Sequence, residues 1–414
     1  MPEKLRLFEG IGLELELAIV DRTTLDVRPL ADRVLFAASG NRSGDHDNGR
    51  ISWSNELVRH VLELKTSTPE RSLAGVAGAF QENVRELNAR LASHGARLMP
   101  GGMHPWMDPR RETELWPFDY AEVYRAYHEL FDCHRHGWAN LQSVHLNLSF
   151  GDDQEFGRLH AAARLVLPLV PALAASSPVM EGRVTGSLDQ RLEAYRTNSE
   201  RVPRMTGAVI PEPVFDGESY RREILAPLSA AVAALEPEGI LEGEWLNARG
   251  AIARFDRDAL EIRLIDTQEC PRADVSVAWG LACVIQALCE ERWCAAAEQR
   301  SFATEPLAAL LREAIRLGPA ARLSDSAYAR ALGWRHGKQP TLGELWEVLV
   351  QSAVVPHPAS AAELLEPLQT IARRGTLSQR ILAALGSSPS RARLQAVYQD
   401  LCGCLEEGRL FGED

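Results

Sequence analysis

Four short stretches of the chain alternate apolar and polar residues with a period of two. In "GLELEL" Leu13, Leu15 and Leu17 face away from Glu14 and Glu16, and in "HVLELKT" Leu62 and Leu64 oppose Val61, Glu63 and Lys65. "VHLNLSF" sets Val144, Leu146, Leu148 and Phe150 against His145, Asn147 and Ser149, and "ALEIRLID" sets Leu260, Ile262 and Leu264 against Glu261 and Arg263. This alternation predicts strands over 11–20, about 58–66, 143–150 and 258–266, each with one buried face. Between them the apolar spacing lengthens to the helical 3.6. "STPERSLAGVAGAFQENVRELNARLASHG" predicts a helix capped by Thr68, with Pro69 in its first turn and Gly95 at its end. "PFDYAEVYRAYHELFDCHRHG" predicts another, from Asp119 to Gly137, and further helices are expected at about 153–175, 217–235 and 272–299. The polar, glycine-rich "SGNRSGDHDNGR" (39–50) reads as a loop.

Strands interspersed with long helices predict an α+β fold, a largely antiparallel sheet covered on one face by helices. From about residue 304 the chain reads almost wholly as helix. The expected organisation is a single domain over 1–414, with a sheet-bearing core at about 1–300 and a helical part at about 304–414.

If the four strands share one sheet, its polar face gathers Glu14, Glu16, Glu63, Glu261, His145 and Arg263. Two carboxylates 4 Å apart repel by about 4 kcal/mol at an effective dielectric near 20. One arginine and one lysine cannot offset several such pairs. Divalent cations can, and oxygen ligands with one imidazole suit Mg²⁺ or Mn²⁺. A solvated sheet face also alternates charge with apolar residues; recurrence on four strands is what argues against that here. His145 alone would read as an ordinary core or surface histidine, and "PGGMHPW" with His104 reads as a structural turn.

Composition narrows the partners. A formal net charge of −12 leaves no basic excess for nucleic acid or an anionic membrane. Lysine occurs only at Lys4, Lys65 and Lys338, so arginine is the expected clamp for phosphate or carboxylate. The cysteines, seven in all, show no CxxC or zinc-type spacing and read as reduced, buried thiols of a cytoplasmic protein. "MPEKLRLFEG" lacks the apolar region of a signal peptide, and the apolar run "VAWGLACVI" is too short to span a bilayer. P-loop, Rossmann, HExxH and GxSxG motifs are absent, so any nucleotide phosphates would have to be held by metals and arginines.

These pieces, taken in order, resemble the glutamate–cysteine ligase family of the bacterial carboxylate–amine ligase type (family 2), within the glutamine-synthetase-like superfamily. The resemblance runs from about residue 8 to 320. It is carried by "GLELEL", "NELVRHVLELKT", "PGGMHP", "SVHLNLSF", "ASSPVMEGRVTGSLDQR", "ALEIRLIDTQ" and "AIRLG", with a weaker echo in "RRGTLSQRI" (373–381). It implies a curved antiparallel sheet forming a funnel, with ATP and acceptor entering from opposite ends. It implies metal ligands at Glu14, Glu16, Glu56, Glu63, His145 and Glu261, and nucleotide contacts at His145, Arg263, Arg316 and Arg380. Catalytic roles fall to Arg263, Glu63 and Arg191. Asp189 stands where the family pattern has serine, so the contacts around Arg191 are expected to differ.

The implied reaction uses ATP and Mg²⁺ (or Mn²⁺) to phosphorylate a carboxylate, usually the γ-carboxylate of glutamate, before an amine displaces phosphate. Cysteine is the leading amine. Expected partners are these small molecules, with no nucleic acid or membrane, in a protein compatible with homo-oligomer formation. The competing readings are a ligase for another amine or carboxylate, a non-catalytic nucleotide-binding paralogue, and a metal-dependent phosphotransferase or hydrolase. ADP release with and without amine separates them.

Overall fold

Strand β1 (Ile11–Asp21) is the centre of the molecule. The computed structural model describes residues 4–241, 243–355, 362–386 and 388–413. In it β1 pairs antiparallel with β4 (Val61–Thr66) on one side and β6 (Ser143–Ser149) on the other, while β5 (Ala96–Met99) extends the pairing along its C-terminal part. Outside β4 lie β3 (Ile51–Asn55) and the two-residue edge β2 (Asp45–His46). A separate hairpin, β7 (Val179–Met180) with β8 (Arg183–Val184), stands apart. Outside β6 come β10 (Ala259–Asp266) and β9 (Ala251–Arg254), giving the order β2-β3-β4-β1-β6-β10-β9. Every pairing is antiparallel, as the alternation requires of a sheet with two chemically different faces.

The apolar face is the core. Leu13, Leu15, Leu17, Leu62, Leu64, Val144, Leu146, Leu148, Leu260, Ile262 and Leu264 are all buried in one cluster. Each such side chain contributes about 1.5–3 kcal/mol by leaving water, so a one-residue slip of any strand would turn its aliphatic residues into the polar cavity. The helices Val76–Ala92, Asp153–Val166 and Pro271–Cys289 cover this face. Pro271–Cys289 is long and apolar enough to cross a membrane, longer than the run "VAWGLACVI" suggests, but 89% of its apolar window is buried within the protein. It is the central core helix. Gly280 lets Ala362–Arg374 approach it closely: a Cβ there would lie 2.8 Å from Leu368 Cδ2.

The chain beyond 304 is helical, with Thr304–Leu317, Leu342–Leu349, Ala362–Arg374, Leu377–Leu385 and Arg391–Glu407 its longer elements. Ser360 and Ala361, read as the start of one of these helices, lie outside the described residues. Leu307, Leu311, Trp346 and Leu364 join the main core, whereas Leu377, Ile381 and Leu401 pack on Ala18, Val20 and Met99 in a second cluster.

Several boundaries differ from the sequence reading. The helix expected from Thr68 starts only at Val76, after Gly75 in the left-handed region (φ 71°). After a bend at Ser67 and Thr68 the chain instead bridges to β1, where Ile11 and Glu70 exchange backbone hydrogen bonds of 2.8 Å. The helix expected to run to Gly137 ends at Phe131, where Asp132 takes φ 54°, and a separate turn of helix spans His136–Ala139. β3, β5 and β9 had no counterpart among the expected strands.

Candidate active site

The register of the strands decides which polar side chains meet. Glu14 stands opposite Lys65 on β4 and His145 on β6, Glu16 opposite Glu63, Glu261 opposite Asn147, and Ser54 opposite Glu63. They form the floor of a cavity of about 840 Å³ lined by Glu14, Glu56, Glu63, Lys65, His145, Asn147, Glu261 and Arg263, among others. Glu16 lies below the lining, its carboxylate taken up by Ser143 N (2.7 Å) and Ser143 Oγ (3.0 Å).

Around the histidine the contacts are short. His145 Nδ1 lies 2.8 Å from Glu14 Oε2, and its Nε2 lies 3.0 Å from Ser143 Oγ and 3.7 Å from Glu16 Oε1. Asn147 Nδ2 donates to Glu14 Oε1 (3.1 Å). Lys65 Nζ donates to Glu63 Oε2 (3.0 Å) and Ser54 Oγ (2.9 Å), and Ser54 Oγ donates to the same Glu63 oxygen. Arg263 Nη1 donates to Glu261 Oε1 (2.5 Å), with Arg254 Nε 3.6 Å from the other oxygen. The Glu56 carboxylate receives no hydrogen bond or ion pair from any described residue, which leaves its oxygens open to the cavity.

Acids placed this way cannot all ionise with equal ease. Burial opposes the charge on Glu14, but the hydrogen bond and charge of His145, with Arg263 and Lys65, outweigh it and hold its pKa at about 2. Burial lowers His145 and Arg263 repels its proton, yet Glu14 and Glu16 win and raise it above the ordinary imidazole value. Glu56 is pushed well up by burial and by the charges of Glu16 and Glu63; Glu63 is pushed up by burial and by Glu14. Carboxylates that resist ionising beside one another are stabilised by an added cation, which removes the repulsion directly.

The donor set suits such a cation. Ligand atoms of Glu14, Glu63 and His145 all lie within 4.8 Å of one another, two hard carboxylates and one imidazole. Glu56 and Glu261 line the same cavity.

Three arginines assigned through the resemblance lie elsewhere. Arg191 is buried beneath the sheet, its Nε 2.5 Å from Asp266 Oδ1 and its outer nitrogens 3.4 Å from the Arg263 carbonyl oxygen. It does not line the cavity. Its helix, Gln190–Tyr195, is capped by Asp189, the residue that departs from the family pattern, which accepts from Leu192 N (2.8 Å). Arg316 is exposed in the last turn of Thr304–Leu317. Arg380 is paired with Glu269 (2.5 Å) and donates to the Phe411 carbonyl (3.0 Å). None of the three reaches the carboxylate group. His104 is structural: its Nε2 lies 2.7 Å from the Leu25 carbonyl, and its Nδ1 accepts from Met107 N (2.9 Å). The cysteines are all unpaired and buried.

Sequence reasoning missed Ser54, which sits on the unexpected β3, and the aromatic wall closing one end of the cavity. That wall comprises Tyr120, Tyr124, Tyr127, Trp138, Tyr195 and Trp245. Tyr124 and Tyr127 are three apart on one helix face and could have been paired; the others come from separate elements.

The chain is similar to known proteins over most of its length. The family model described as glutamate-cysteine ligase family 2 matches residues 10–400. An uncharacterized protein of Archaeoglobus fulgidus is 35% identical over 283 residues, covering 68% of this chain and 75% of that protein. A Sorangium cellulosum protein, named provisionally as glutamate–cysteine ligase 2, is 27% identical over 400 residues and 94% of each chain. The crystal structure of a glutamate–cysteine ligase from Francisella tularensis in complex with AMP superposes with a TM-score of 0.60 at 13% identity, covering 98% of this chain and 90% of that one. That likeness shows a shared fold. With a match over nearly its whole length and a carboxylate-lined antiparallel sheet to go with it, the chain belongs to glutamate–cysteine ligase family 2, a family of carboxylate–amine ligases.

Proposed function

We propose that this protein is an ATP- and Mg²⁺-dependent ligase that activates the γ-carboxylate of glutamate and joins it to an amine. The observation that carries the reading is the convergence of Glu14, Glu63 and His145, with ligand atoms within 4.8 Å of one another on three adjacent strands. Glu14, Glu56, Glu63, His145 and Glu261 are the residues that would hold the metal, with Glu16 behind them. Mg²⁺ bound there supplies charge to the phosphate oxygens during transfer.

The chain's own residues do the rest. His145 Nδ1, 2.8 Å from Glu14 Oε2, is placed so that the imidazole and that carboxylate would hold the cation together. Lys65 and Ser54 fix the Glu63 carboxylate, so its free oxygen keeps one orientation. Arg263 stands in the cavity paired with Glu261, close enough to move its guanidinium onto a phosphate oxygen as charge develops there. A carboxylate oxygen of the donor attacks the γ-phosphorus while the bond to the ADP oxygen breaks. The amine nitrogen then attacks the acyl carbon, phosphate leaves with the bonding pair, and the ammonium proton passes to a base. Glu56 lines the cavity with no hydrogen-bond or ion-pair partner among the described residues, which leaves its carboxylate available to the metal.

The test does not require the acceptor. Purified protein with ATP, Mg²⁺, glutamate and hydroxylamine should give γ-glutamyl hydroxamate and ADP in equal amounts, and neither without metal. ADP without hydroxamate would favour a phosphotransferase or hydrolase; AMP and pyrophosphate would overturn the acyl-phosphate route. Cysteine is the acceptor that the family name carries. A second reading, a different amine, is favoured by the aromatic wall.

A further inference from the structure

Glu261 has two claims on its carboxylate. It accepts a 2.5 Å hydrogen bond from Arg263 Nη1, with Arg254 Nε 3.6 Å from its other oxygen and His145 Nδ1 3.9 Å away. As one of the residues that would hold the metal, it would turn those oxygens to the ion. Arg263 then loses its carboxylate just when its guanidinium is needed at a phosphate oxygen. The Arg263 side chain is 30% exposed, and a long stem of this kind wanders unless its head is held.

The fold supplies a second holder. The register of β10 against β6 shifts between Ile262 and Ile265, so a bulge falls at Arg263 and Leu264 and interrupts the ladder there. The backbone of Arg263 is gripped from other elements. Its N donates to the Gly250 carbonyl (3.0 Å), and the outer nitrogens of Arg191 lie 3.4 Å from its carbonyl oxygen. Gly250 lets its loop lie against the strand, since a Cβ there would be 2.8 Å from Leu264 Cδ1. Arg191 and Tyr195 stand four apart on the short helix Gln190–Tyr195 and so share a face. The first reaches the backbone of Arg263. The second reaches its side chain: Tyr195, which lines the cavity, takes a hydrogen bond from the guanidinium on its hydroxyl oxygen.

The direction of that bond follows from where the phenolic proton goes. Tyr195 has a single proton to give, and it gives it to the Ala248 carbonyl (2.8 Å). Burial holds the hydroxyl above its ordinary pKa, so that proton stays on at neutral pH. What faces Arg263 is a lone pair, which suits a guanidinium that has donors and no acceptor. The Ala248 end is fixed in turn, its N donating to the Met205 carbonyl (2.9 Å). A neutral phenol competes poorly with carboxylates for a hard divalent ion. Unlike Glu261, it keeps its hold on the arginine when a metal arrives.

We infer that Tyr195 is the positioning residue for Arg263, holding its guanidinium in the cavity while Glu261 turns to the metal. This rests on the ligase reading above, and the test separates the two. Tyr195→Phe keeps the ring and removes the lone pair. It should lower kcat for γ-glutamyl hydroxamate formation by about tenfold, with KM for ATP and glutamate moved by less than about twofold. The variant also loses the bond to Ala248, so the decisive comparison is a single-turnover measurement in an Arg263→Ala background. There Tyr195→Phe should change the rate by less than about twofold, because the group it positions is gone. An equal loss in both backgrounds, or no loss with Arg263 present, would overturn the inference and leave the ligase standing. The anchor is also tested without turnover, by a crystal structure with Mn²⁺ alone. Arg263 should stay on Tyr195 Oη there while Glu261 binds the ion, and should leave that position in Tyr195→Phe. Arg263 still on Glu261, or swung away from Tyr195, would overturn the inference. If the wild-type protein forms no hydroxamate, the ligase reading fails and the Mn²⁺ structure alone decides the anchor.

Discussion

Strand β10 carries two carboxylate–arginine pairs of equal length and opposite character. Glu261 with Arg263 and Asp266 with Arg191 both close to 2.5 Å. Asp266 is fully enclosed: it accepts from Ser176 N (2.9 Å) and Ser177 Oγ (2.7 Å) as well, and Gly102 makes room, since a Cβ there would lie 2.5 Å from the carboxyl carbon. Glu261 is partnered by Arg263, by Arg254 and, at 3.9 Å, by His145 Nδ1, and faces a cavity. A buried pair whose hydrogen bonds are all made has nothing left for a ligand, and breaking it strands a charge. A pair at a cavity can exchange its partner for a phosphate or a metal at little cost. Length and burial alone do not tell the two apart; what remains unsatisfied around them does.

The sharpest break of this comparison is by activity. Glu63→Gln should lower hydroxamate formation on the order of 10³-fold, about 4 kcal/mol of lost stabilisation, while its unliganded melting temperature stays level or rises. Asp266→Ala should do the reverse, costing about 3–5 kcal/mol in a denaturant titration because Arg191 is left buried and unpaired. Lysine substitutions sharpen the contrast: Arg263→Lys keeps the charge but loses the planar fork, and turnover should fall about 10²-fold with ATP affinity little changed. Arg191→Lys should chiefly lower stability; an equal loss of turnover in a stable Arg191→Lys protein would mean that Arg191 positions Arg263 through its carbonyl contact.

Smaller effects concern the unliganded carboxylates. Mg²⁺ with ATP should raise the melting temperature by about 3 °C or more, and Glu63→Gln should remove most of that rise. The pH dependence has two parts of opposite sign. Glu56 and Glu63 titrate above their usual value of 4.5 in the folded protein, so their contribution is full below pH 4.5 and is lost as pH rises through the raised values. Glu14, held at about 2, contributes above pH 4.5 and loses that contribution as pH falls from 4.5 toward 2. Glu56→Gln should therefore raise the unliganded melting temperature at pH 8 by about 1–2 °C and flatten its decline above pH 5. An unchanged slope would place the strain elsewhere.

The central part of the site was legible because period-two alternation puts residues on faces without further knowledge, and Glu14, Glu63, His145, Glu261 and Arg263 follow from it. Glu56 did not: it lies past the end of β3, outside any alternation, and entered only through the family pattern. Ile51 and Trp53 alternate with Ser52 and Ser54, but five residues beside a glycine-rich loop are too few to stand out. The start at Thr68 failed because good capping chemistry lost to strand pairing at Ile11 and Glu70. Arg191 and Arg380 come from the family pattern alone, and in this structure each is bound to a buried carboxylate, Asp266 or Glu269, outside the cavity lining. The aromatic wall was invisible because rings from separate elements leave no local spacing.

The order of strands in the sheet has a consequence for how the protein comes into being. Thr267 Oγ1 donates to the carbonyl of Glu16 across 251 residues, and β10 closes the sheet that β1 opens. Such non-local closure is slow, because the entropy of a long loop is lost before the contacts that repay it form. During synthesis, β1, β4 and β6 can pair early, yet the carboxylate group lacks Glu261 and Arg263 until most of the chain has emerged. A cation or nucleotide bound at these carboxylates would therefore meet a complete site only at the end of folding, and would select and hold the finished sheet without seeding it.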